Sequence, residues 1–320
     1  MRFRMPVTLL LLYCATLTVY TAAQANPAQV AILRWYAANQ AASFAVGTSP
    51  FGMASDGANV WVSNFGSANI TKLRASDGAV QGTFKVGASP QGVAFDGANI
   101  WVANGGSGTV SKLRASTGAV LGTFASGGSD PFAVAFDGAS IWVVNLTSNN
   151  VVKLNSATGA VLQTVTVGSN PAGAAFDGAN LWVTNNLSNT VTKVRVSDGT
   201  VLGTFNVGTQ PFGIAFDGSS VWIANLASNN VTKLRASDGT QLGLFAAGKQ
   251  PRAVVFDGVQ IWVTNGGDGT VTKFKVSNGT NLGTFPVGST CTLGFDLTGA
   301  AFDGANIWVA NSCQNAAAKR

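Results

Sequence analysis

The sequence contains no histidine and no glutamate, so all thirteen of its acidic residues are aspartates. General acid–base catalysis usually depends on histidine or on a carboxylate with a raised pKa, and nucleophilic serine or cysteine needs a base beside it. Ten aspartates occupy turn positions of a repeated pattern, and only Asp130, Asp268 and Asp296 stand outside it. No phosphate-binding or dinucleotide-binding motif is present. The composition therefore disfavours most enzyme classes.

Charge is also scarce, because charged residues make up 10% of the chain and its net charge is +6. Most basic residues recur two apart on one predicted strand of the repeat, as Lys72/Arg74, Lys112/Arg114, Lys193/Arg195 and Lys233/Arg235. Residues two apart in a strand point to the same face, so each Lys/Arg pair lies on one face of its strand. We therefore expect these basic side chains to form a solvated outer ladder. Because this charge surrounds the circumference, nucleic-acid binding is not expected.

The first 25 residues combine a basic start, a short apolar run and the sequence A-Q-A. These features predict a secretory signal peptide, residues 1–25, cleaved after Ala25. An uncleaved anchor is the alternative, but threonine and tyrosine interrupt the apolar run. The mature chain, residues 26–320, is then a single domain without a membrane span, secreted or periplasmic, with a net charge of +4 once Arg2 and Arg4 are removed.

Cysteine is rare, with three in the chain, of which Cys14 leaves with the signal peptide. The remaining two, Cys291 and Cys313, flank two neighbouring predicted strands, and Cys291 stands where other repeats have a loop proline. Antiparallel neighbours bring such positions together, so an oxidising compartment favours a Cys291–Cys313 disulfide. Metal binding by two cysteines without histidine is the weaker interpretation.

The motif W-[VI]-x-N occurs seven times, with spacings of 40, 41, 40, 40, 40 and 46 residues. Its tryptophans are Trp61, Trp101, Trp142, Trp182, Trp222, Trp262 and Trp308. One unit, residues 87–126, contains four β-prone runs (QGVAF, NIWVAN, TVSKLRA and AVLGTF), separated by turn residues such as D-G. Four strands in about 40 residues are typical of a β-propeller blade, and a solenoid is the less fitting alternative.

The ends of the chain predict how the ring closes. Residues 30–47 align without gaps with residues 70–87, and only nine residues follow Asn311. We therefore predict that the N-terminus supplies strands three and four, and the C-terminus strands one and two, of a shared blade that removes the open sheet edges. The all-β, seven-bladed propeller then has blades at about 47–86, 87–126, 127–167, 168–207, 208–247 and 248–287, and a composite of 288–313 with 28–46.

Aromatic residues recur at fixed positions of each repeat, which predicts that they form the core between adjacent blades. The asparagine that ends each W-[VI]-x-N is expected to bond nearby groups at the start of its loop, with ligand binding as the alternative.

Departures from the repeat gather on the face formed by the strand 4–1 and 2–3 loops. The candidate ligand-binding residues there are Lys249, Arg252, Asp130, Asp268, Asp296 and the channel-mouth residues Phe51, Gln91, Phe132 and Phe212. The residue after each loop proline, including Ala172, is expected to ring the channel mouth. Loops carry function but also tolerate change, so neutral drift is an equal alternative.

The patterns G-x-x-P-x-G-x-A-F-D-G, W-V-x-N, S-N-x-V-T-K and G-T-F-x-V-G resemble those of YVTN-type seven-bladed β-propellers, with tryptophan in place of tyrosine. That resemblance covers nearly all of residues 30–311 and implies exported or surface-associated binding proteins of bacteria and archaea. The repeats are also similar to those of virginiamycin B lyase, whose family uses histidine, glutamate and a divalent metal. Gluconolactonase-like propellers bind metal partly through glutamate. This chain has neither residue.

The sequence therefore predicts an exported, non-enzymatic, monomeric propeller without a cofactor, whose partner is a protein, a glycan or a small molecule. The alternative is a metal-assisted lyase or hydrolase that uses Asp130, Asp268 or Asp296.

Overall fold

The computed structural model describes residues 41–288 and 297–320. Over these two ranges the chain forms seven four-stranded antiparallel sheets, which are the blades of a β-propeller, as predicted. A single 3-10 turn, Gly105–Ser107, is the helical element of the described chain, and no helix in it has the length and apolar character needed to cross a membrane. The predicted signal peptide, Cys291 and Asp296 lie outside the described residues.

The strands follow one another in chain order, beginning with β1 (Ala42–Ala45) in the last blade. Blades 1 to 3 consist of β2 (Pro50–Ser55), β3 (Asn59–Asn64), β4 (Asn69–Arg74), β5 (Val80–Lys85); β6 (Pro90–Phe95), β7 (Asn99–Asn104), β8 (Thr109–Arg114), β9 (Val120–Ala125); and β10 (Pro131–Phe136), β11 (Ser140–Asn145), β12 (Asn150–Asn155), β13 (Val161–Thr166). Blades 4 to 6 consist of β14 (Pro171–Phe176), β15 (Asn180–Asn185), β16 (Thr190–Arg195), β17 (Val201–Asn206); β18 (Pro211–Phe216), β19 (Ser220–Asn225), β20 (Asn230–Arg235), β21 (Gln241–Ala246); and β22 (Pro251–Phe256), β23 (Gln260–Asn265), β24 (Thr270–Lys275), β25 (Asn281–Pro286). Blade 7 adds β26 (Leu297–Phe302), β27 (Ile307–Asn311) and β28 (Ala316–Lys319) to β1.

The turn between the first two strands of a blade is closed by its aspartate. In blade 4, Asp177 Oδ1 accepts hydrogen bonds from the N–H groups of Ala179 and Asn180, at 3.0 and 2.7 Å. Gly178 has a φ of 99°, a conformation that glycine adopts without the steric cost of a side chain. Asp177 Oδ2 accepts a further bond from the indole Nε1–H of Trp182 at 2.8 Å, so the turn also orients the core tryptophan.

Aromatic side chains pack between adjacent blades, as the recurring positions predicted. Trp101 of blade 2 is fully buried and lies 5.8 Å from Phe124, measured between ring centroids. The same cluster contains Val134 and Ile141 of blade 3. Burial of such large side chains at every interface supplies the apolar contacts that join the blades.

The lysine of each third strand is not part of a solvated ladder, so that expectation was wrong. Lys193 is 7% exposed, with its ammonium 5.1 Å from the centroid of the Trp182 ring. Its Nζ donates hydrogen bonds to the carbonyls of Ala236 and Ser237 in the next blade, at 2.6 and 3.2 Å. Equivalent contacts over the blade tryptophan are made by Lys72, Lys112, Lys153, Lys233, Lys273 and Lys319. The lysines therefore link the blades from buried or half-buried positions, whereas the arginines two residues later on these strands are exposed.

Blade 7 contains strands from both ends of the chain, which closes the ring as predicted, but the division of strands differs. Its strand order is β1-β28-β27-β26, so the C-terminus supplies three strands and the N-terminus supplies the outer one. The predicted third strand from residues 28–46 is thus wrong. The decisive register is Trp308 opposite Lys319, which repeats the pairing of Trp61 with Lys72. The sequence prediction aligned apolar runs and did not use this eleven-residue spacing between the tryptophan and the lysine.

The first strand of blade 7 begins at Leu297, which pairs with Asn311 as Pro50 pairs with Asn64 in blade 1. Leu297, and not Cys291, therefore occupies the register of the loop proline. The predicted Cys291–Cys313 disulfide involves a residue outside the described ranges and stays a prediction.

Candidate functional site

The candidate site is the mouth of the central channel, on the side of the strand 4–1 and 2–3 loops. One residue from each innermost strand contributes to it, namely Phe51, Gln91, Phe132, Ala172, Phe212, Arg252 and Thr298. We call these seven residues, together with the adjacent Phe65, the channel mouth. Six of the seven ring residues line a cavity of about 170 Å³, and the buried Gln91 stands beside it.

Three phenylalanines from alternate blades meet at the channel mouth. The ring centroids of Phe51 and Phe132 are 5.5 Å apart, with an interplanar angle of 89°. Phe132 and Phe212 are 5.4 Å apart at 86°. Such edge-to-face contacts are a favourable arrangement of aromatic rings. All three side chains are half-buried, so part of the apolar surface of the cluster stays accessible.

The aromatic surface extends outwards through Phe65, in the loop after the second strand of blade 1. Phe65 is 42% exposed, and its ring centroid lies 6.4 Å from that of Phe51. A large apolar side chain at this exposure contributes little to the core. It enlarges the apolar area that a ligand could cover.

Arg252 adds a positive charge to the channel mouth. Its guanidinium carbon lies 5.3 Å from the centroid of the Phe212 ring, and the residue is 5% exposed. A cation over an aromatic face is attracted by the ring quadrupole, and more strongly where water is excluded. The mouth thus combines an aromatic cluster with a nearly buried cation.

Small residues one position further along the innermost strands allow these strands to approach closely. A Cβ added at Gly52 would overlap the carbonyl oxygen of Gln91, and one at Gly213 would overlap that of Arg252. A hydroxyl also links blades 1 and 2, since Ser63 Oγ donates a hydrogen bond to the Gln91 carbonyl at 2.5 Å. The innermost strands are therefore closely packed directly below the mouth.

The predicted candidate Asp130 lies at the edge of this site. It has a φ of 57°, and its Oδ1 accepts a hydrogen bond from Gln91 Nε2 at 3.3 Å. Gln91 is 5% exposed, so its amide serves mainly to bond Asp130. The structure thus brings together two of the predicted residues as a polar pair between blades 2 and 3.

Asp268 and Lys249 form a different contact, through the backbone. Asp268 Oδ2 accepts a hydrogen bond from the Lys249 N–H at 2.6 Å. In blade 1 the hydroxyl of Ser67 accepts the equivalent bond from Thr48 N, also at 2.6 Å. Asp268 therefore performs the structural task of a serine, and this contact alone does not indicate ligand binding. The Lys249 side chain is exposed.

Five of the strand 1–2 turn aspartates are held as anions. Burial by itself would raise the pKa of Asp177, but hydrogen bonds from the Trp182 indole, the Ala179 N–H and Asn180 outweigh it and lower the pKa below its ordinary value. The same balance lowers the pKa of Asp96, Asp137, Asp257 and Asp303. A general acid needs a raised pKa, so these carboxylates are suited to structural bonds and not to proton transfer.

In the ranges 41–288 and 297–320, no group of three or more histidine, cysteine or acidic side chains could hold a metal ion. Asp130 and Asp268 are drawn into separate hydrogen bonds in different blades.

Solved structures share the fold of this chain. A streptogramin B lyase structure has a TM-score of 0.74 and 20% identity, covering 87% of this chain and 96% of its own. A catalytically inactive histidine-to-alanine variant of virginiamycin B lyase from Staphylococcus aureus, with quinupristin, has a TM-score of 0.75 and 19% identity, covering 88% and 98%. Hydrazine synthase of Kuenenia stuttgartiensis has a TM-score of 0.72 and 17% identity, covering 85% and 95%.

At these identities the likeness shows the propeller fold alone. No protein-family model matches the chain, and no curated protein matches it at a significant level. The resemblance to YVTN-type repeats accordingly stays an expectation.

Two residues of the channel mouth were missed by the sequence analysis. Thr298 escaped because blade 7 has leucine where the other blades have the loop proline that marked the ring. Phe65 escaped because it lies in a loop of variable sequence, whose contact with Phe51 follows from the three-dimensional register. An aromatic residue directly after W-V-x-N was the available signal.

Proposed function

We propose that this protein is an exported, non-enzymatic β-propeller that binds a ligand or partner at the channel mouth. The observation that carries the proposal is the cluster of Phe51, Phe132 and Phe212, extended to the surface by Phe65. An aromatic surface of this kind fits an apolar or aromatic group of a small molecule, a glycan or a protein side chain. The Arg252 guanidinium lies over the Phe212 ring and extends the same surface.

The acidic residues of the chain agree with a binding role. The chain has no histidine and no glutamate, and the pKa values of the turn carboxylates Asp96, Asp137, Asp177, Asp257 and Asp303 are lowered. Export rests on the first 25 residues alone.

The proposal is tested by screening the purified protein for thermal stabilisation by glycans, peptides and small aromatic acids. We expect Phe65→Ala to weaken the response to any stabilising compound by about tenfold, because an exposed aromatic contact is lost without disturbing the core. Leu187→Ala is the matched control, since Leu187 lies in the equivalent loop of blade 4 and is 64% exposed. A ligand response that both variants retain in full would contradict binding at the channel mouth.

A metal-assisted lyase or hydrolase is the second candidate, because two of the similar folds are streptogramin-type lyases. One of these structures is described as inactive after replacement of a histidine, a residue absent from this chain. Stabilisation by divalent cations that disappears in Asp268→Asn would favour this candidate over simple binding.

A further inference from the structure

A second cleft lies on the opposite side of the disc, between blades 1 and 2. It has a volume of about 580 Å³ and is bordered by the strand 1–2 turns of both blades and by the strand 3–4 turn of blade 2. Phe95 contributes an apolar wall, and Asn59, Asn99, Arg114 and Ser116 contribute polar groups. This cleft is separate from the channel mouth.

Arg114 differs from the corresponding arginines of other blades in having no acidic partner in its turn. Arg74, Arg195 and Arg235 each donate to an aspartate three residues later, at 2.9, 3.0 and 3.0 Å. In blade 2 that position is Thr117, whose hydroxyl accepts from the Ala119 N–H instead. Arg114 is exposed, and it is the arginine whose turn borders the cleft.

The other charged groups of the cleft are already engaged. Asp56 accepts hydrogen bonds from the N–H groups of Ala58 and Asn59, from the Asn59 amide and from the Trp61 indole. Lys72 Nζ donates to the carbonyls of Ala115 and Ser116, at 2.7 and 3.2 Å. The ammonium thus lies directly under the turn that carries Arg114, and adds to the positive potential there.

We propose that this cleft binds an oxyanion group, a carboxylate or a phosphate, through the Arg114 guanidinium. The planar fork of a guanidinium matches two oxygens of such a group, and in blades 1, 4 and 5 the turn aspartate supplies that carboxylate from within the chain. Ser116, on the same turn, also lines the cleft. In blade 2 the carboxylate would come from the ligand.

The test follows the arginine Nε–H signals of the full-length protein by NMR during titration with sodium phosphate and, separately, sodium acetate, at constant ionic strength. We expect a saturable shift of the Arg114 signal with one or both anions, and no saturable shift of Arg195, which is paired with Asp198. The anion that produces saturation identifies the oxyanion. A linear response, or none, of Arg114 with both anions would overturn the proposal.

Two variants sharpen the result. Thr117→Asp introduces the aspartate found in the turns of blades 1, 4 and 5, and should weaken anion binding by about tenfold or more, because the guanidinium is then paired internally. Arg114→Gln should abolish the response, whereas Arg195→Gln should leave it unchanged. Anion binding that survives Thr117→Asp at full strength would show that the guanidinium is not the binding group.

Discussion

Single lysines hold neighbouring blades together through charge-assisted hydrogen bonds. Lys193 illustrates the arrangement, since its aliphatic stem and ammonium lie over the Trp182 ring and its Nζ reaches two carbonyls of blade 5. A buried ammonium is costly unless it is well bonded, and here carbonyls and an aromatic face replace its water. The same residue therefore links the core of one blade to a turn of the next.

Lys193→Met should lower the free energy of unfolding by about 1–3 kcal/mol, because two carbonyls lose a charged donor while the apolar stem is retained. The measurement is denaturant unfolding followed by tryptophan fluorescence. Lys85→Met serves as the control, since Lys85 is an exposed residue at the end of an outer strand. Equal stability of the two variants would contradict the role of the buried lysine as an inter-blade tie.

Loop residues with a left-handed backbone conformation also contribute to the contacts between neighbouring blades. Asn189 has a φ of 55°, and its Oδ1 accepts a hydrogen bond from the Gln210 N–H of the next blade at 2.9 Å. Blade 1 has Ala68 at the same position with a φ of 51°. Asparagine tolerates this conformation better than alanine, because its side chain can bond locally.

Ala68→Asn should stabilise the protein by about 1 kcal/mol, through relief of backbone strain and a new bond to the Ser89 N–H. Ala68→Gly separates the two effects, since it relieves strain without adding an acceptor. Both variants are compared by denaturant unfolding. A loss of stability in Ala68→Asn would show that the loop of blade 1 does not follow the geometry of blades 3 to 5.

At the scale of elements, the strand 1–2 turn is a unit of aspartate, glycine and tryptophan that depends on an ionised carboxylate. In blade 4 this carboxylate accepts bonds from two backbone N–H groups and from the Trp182 indole. Protonation would weaken all of these bonds at once. The turns therefore couple the stability of the blades to pH.

The lowered pKa of Asp177, shared by Asp96, Asp137, Asp257 and Asp303, sets the direction of this coupling. A folded-state pKa below the unfolded value gives stability that is present above the unfolded pKa and is lost as pH falls through the folded one. We expect the unfolding free energy to be constant above about pH 5 and to decline below about pH 4. Asp177→Asn should make that decline shallower, as measured by denaturant unfolding from pH 3 to 6. An unchanged decline would contradict the assignment.

At the scale of the whole molecule, repetition made the fold predictable and the site much less so. The tryptophan period and the D-G turns predicted seven four-stranded blades and a blade shared between the chain ends, because each reports a local element that is copied. The shared blade was divided wrongly because the tetrapeptide AAAK of β28 carries no aromatic or β-branched signal, and only Lys319 marks its register.

The candidate site depends on contacts between blades, which a one-dimensional pattern does not encode. The sequence did place Phe51, Phe132 and Phe212 at equivalent ring positions, but their edge-to-face packing is visible only in the structure. It could not show that Asp268 bonds the Lys249 backbone in the manner of a serine. Only the three-dimensional contacts therefore show whether a residue that departs from the repeat replaces a structural residue or is a candidate for ligand binding.

Closure of the ring by β28 gives the last prediction. Lys319 Nζ donates to the carbonyls of Ala75 and Ser76 in blade 1, at 2.7 and 2.9 Å, and the Arg320 guanidinium lies 4.4 Å from the Phe285 ring centroid in blade 6. The strand thus contacts both neighbouring blades and pairs with β27 and β1. Removal of residues 316–320 should lower the melting temperature far more than Lys319→Met, because it exposes two strand edges and opens the ring. Calorimetry of the two variants measures the difference. Equal losses would mean that the lysine contact, and not strand pairing, closes the propeller.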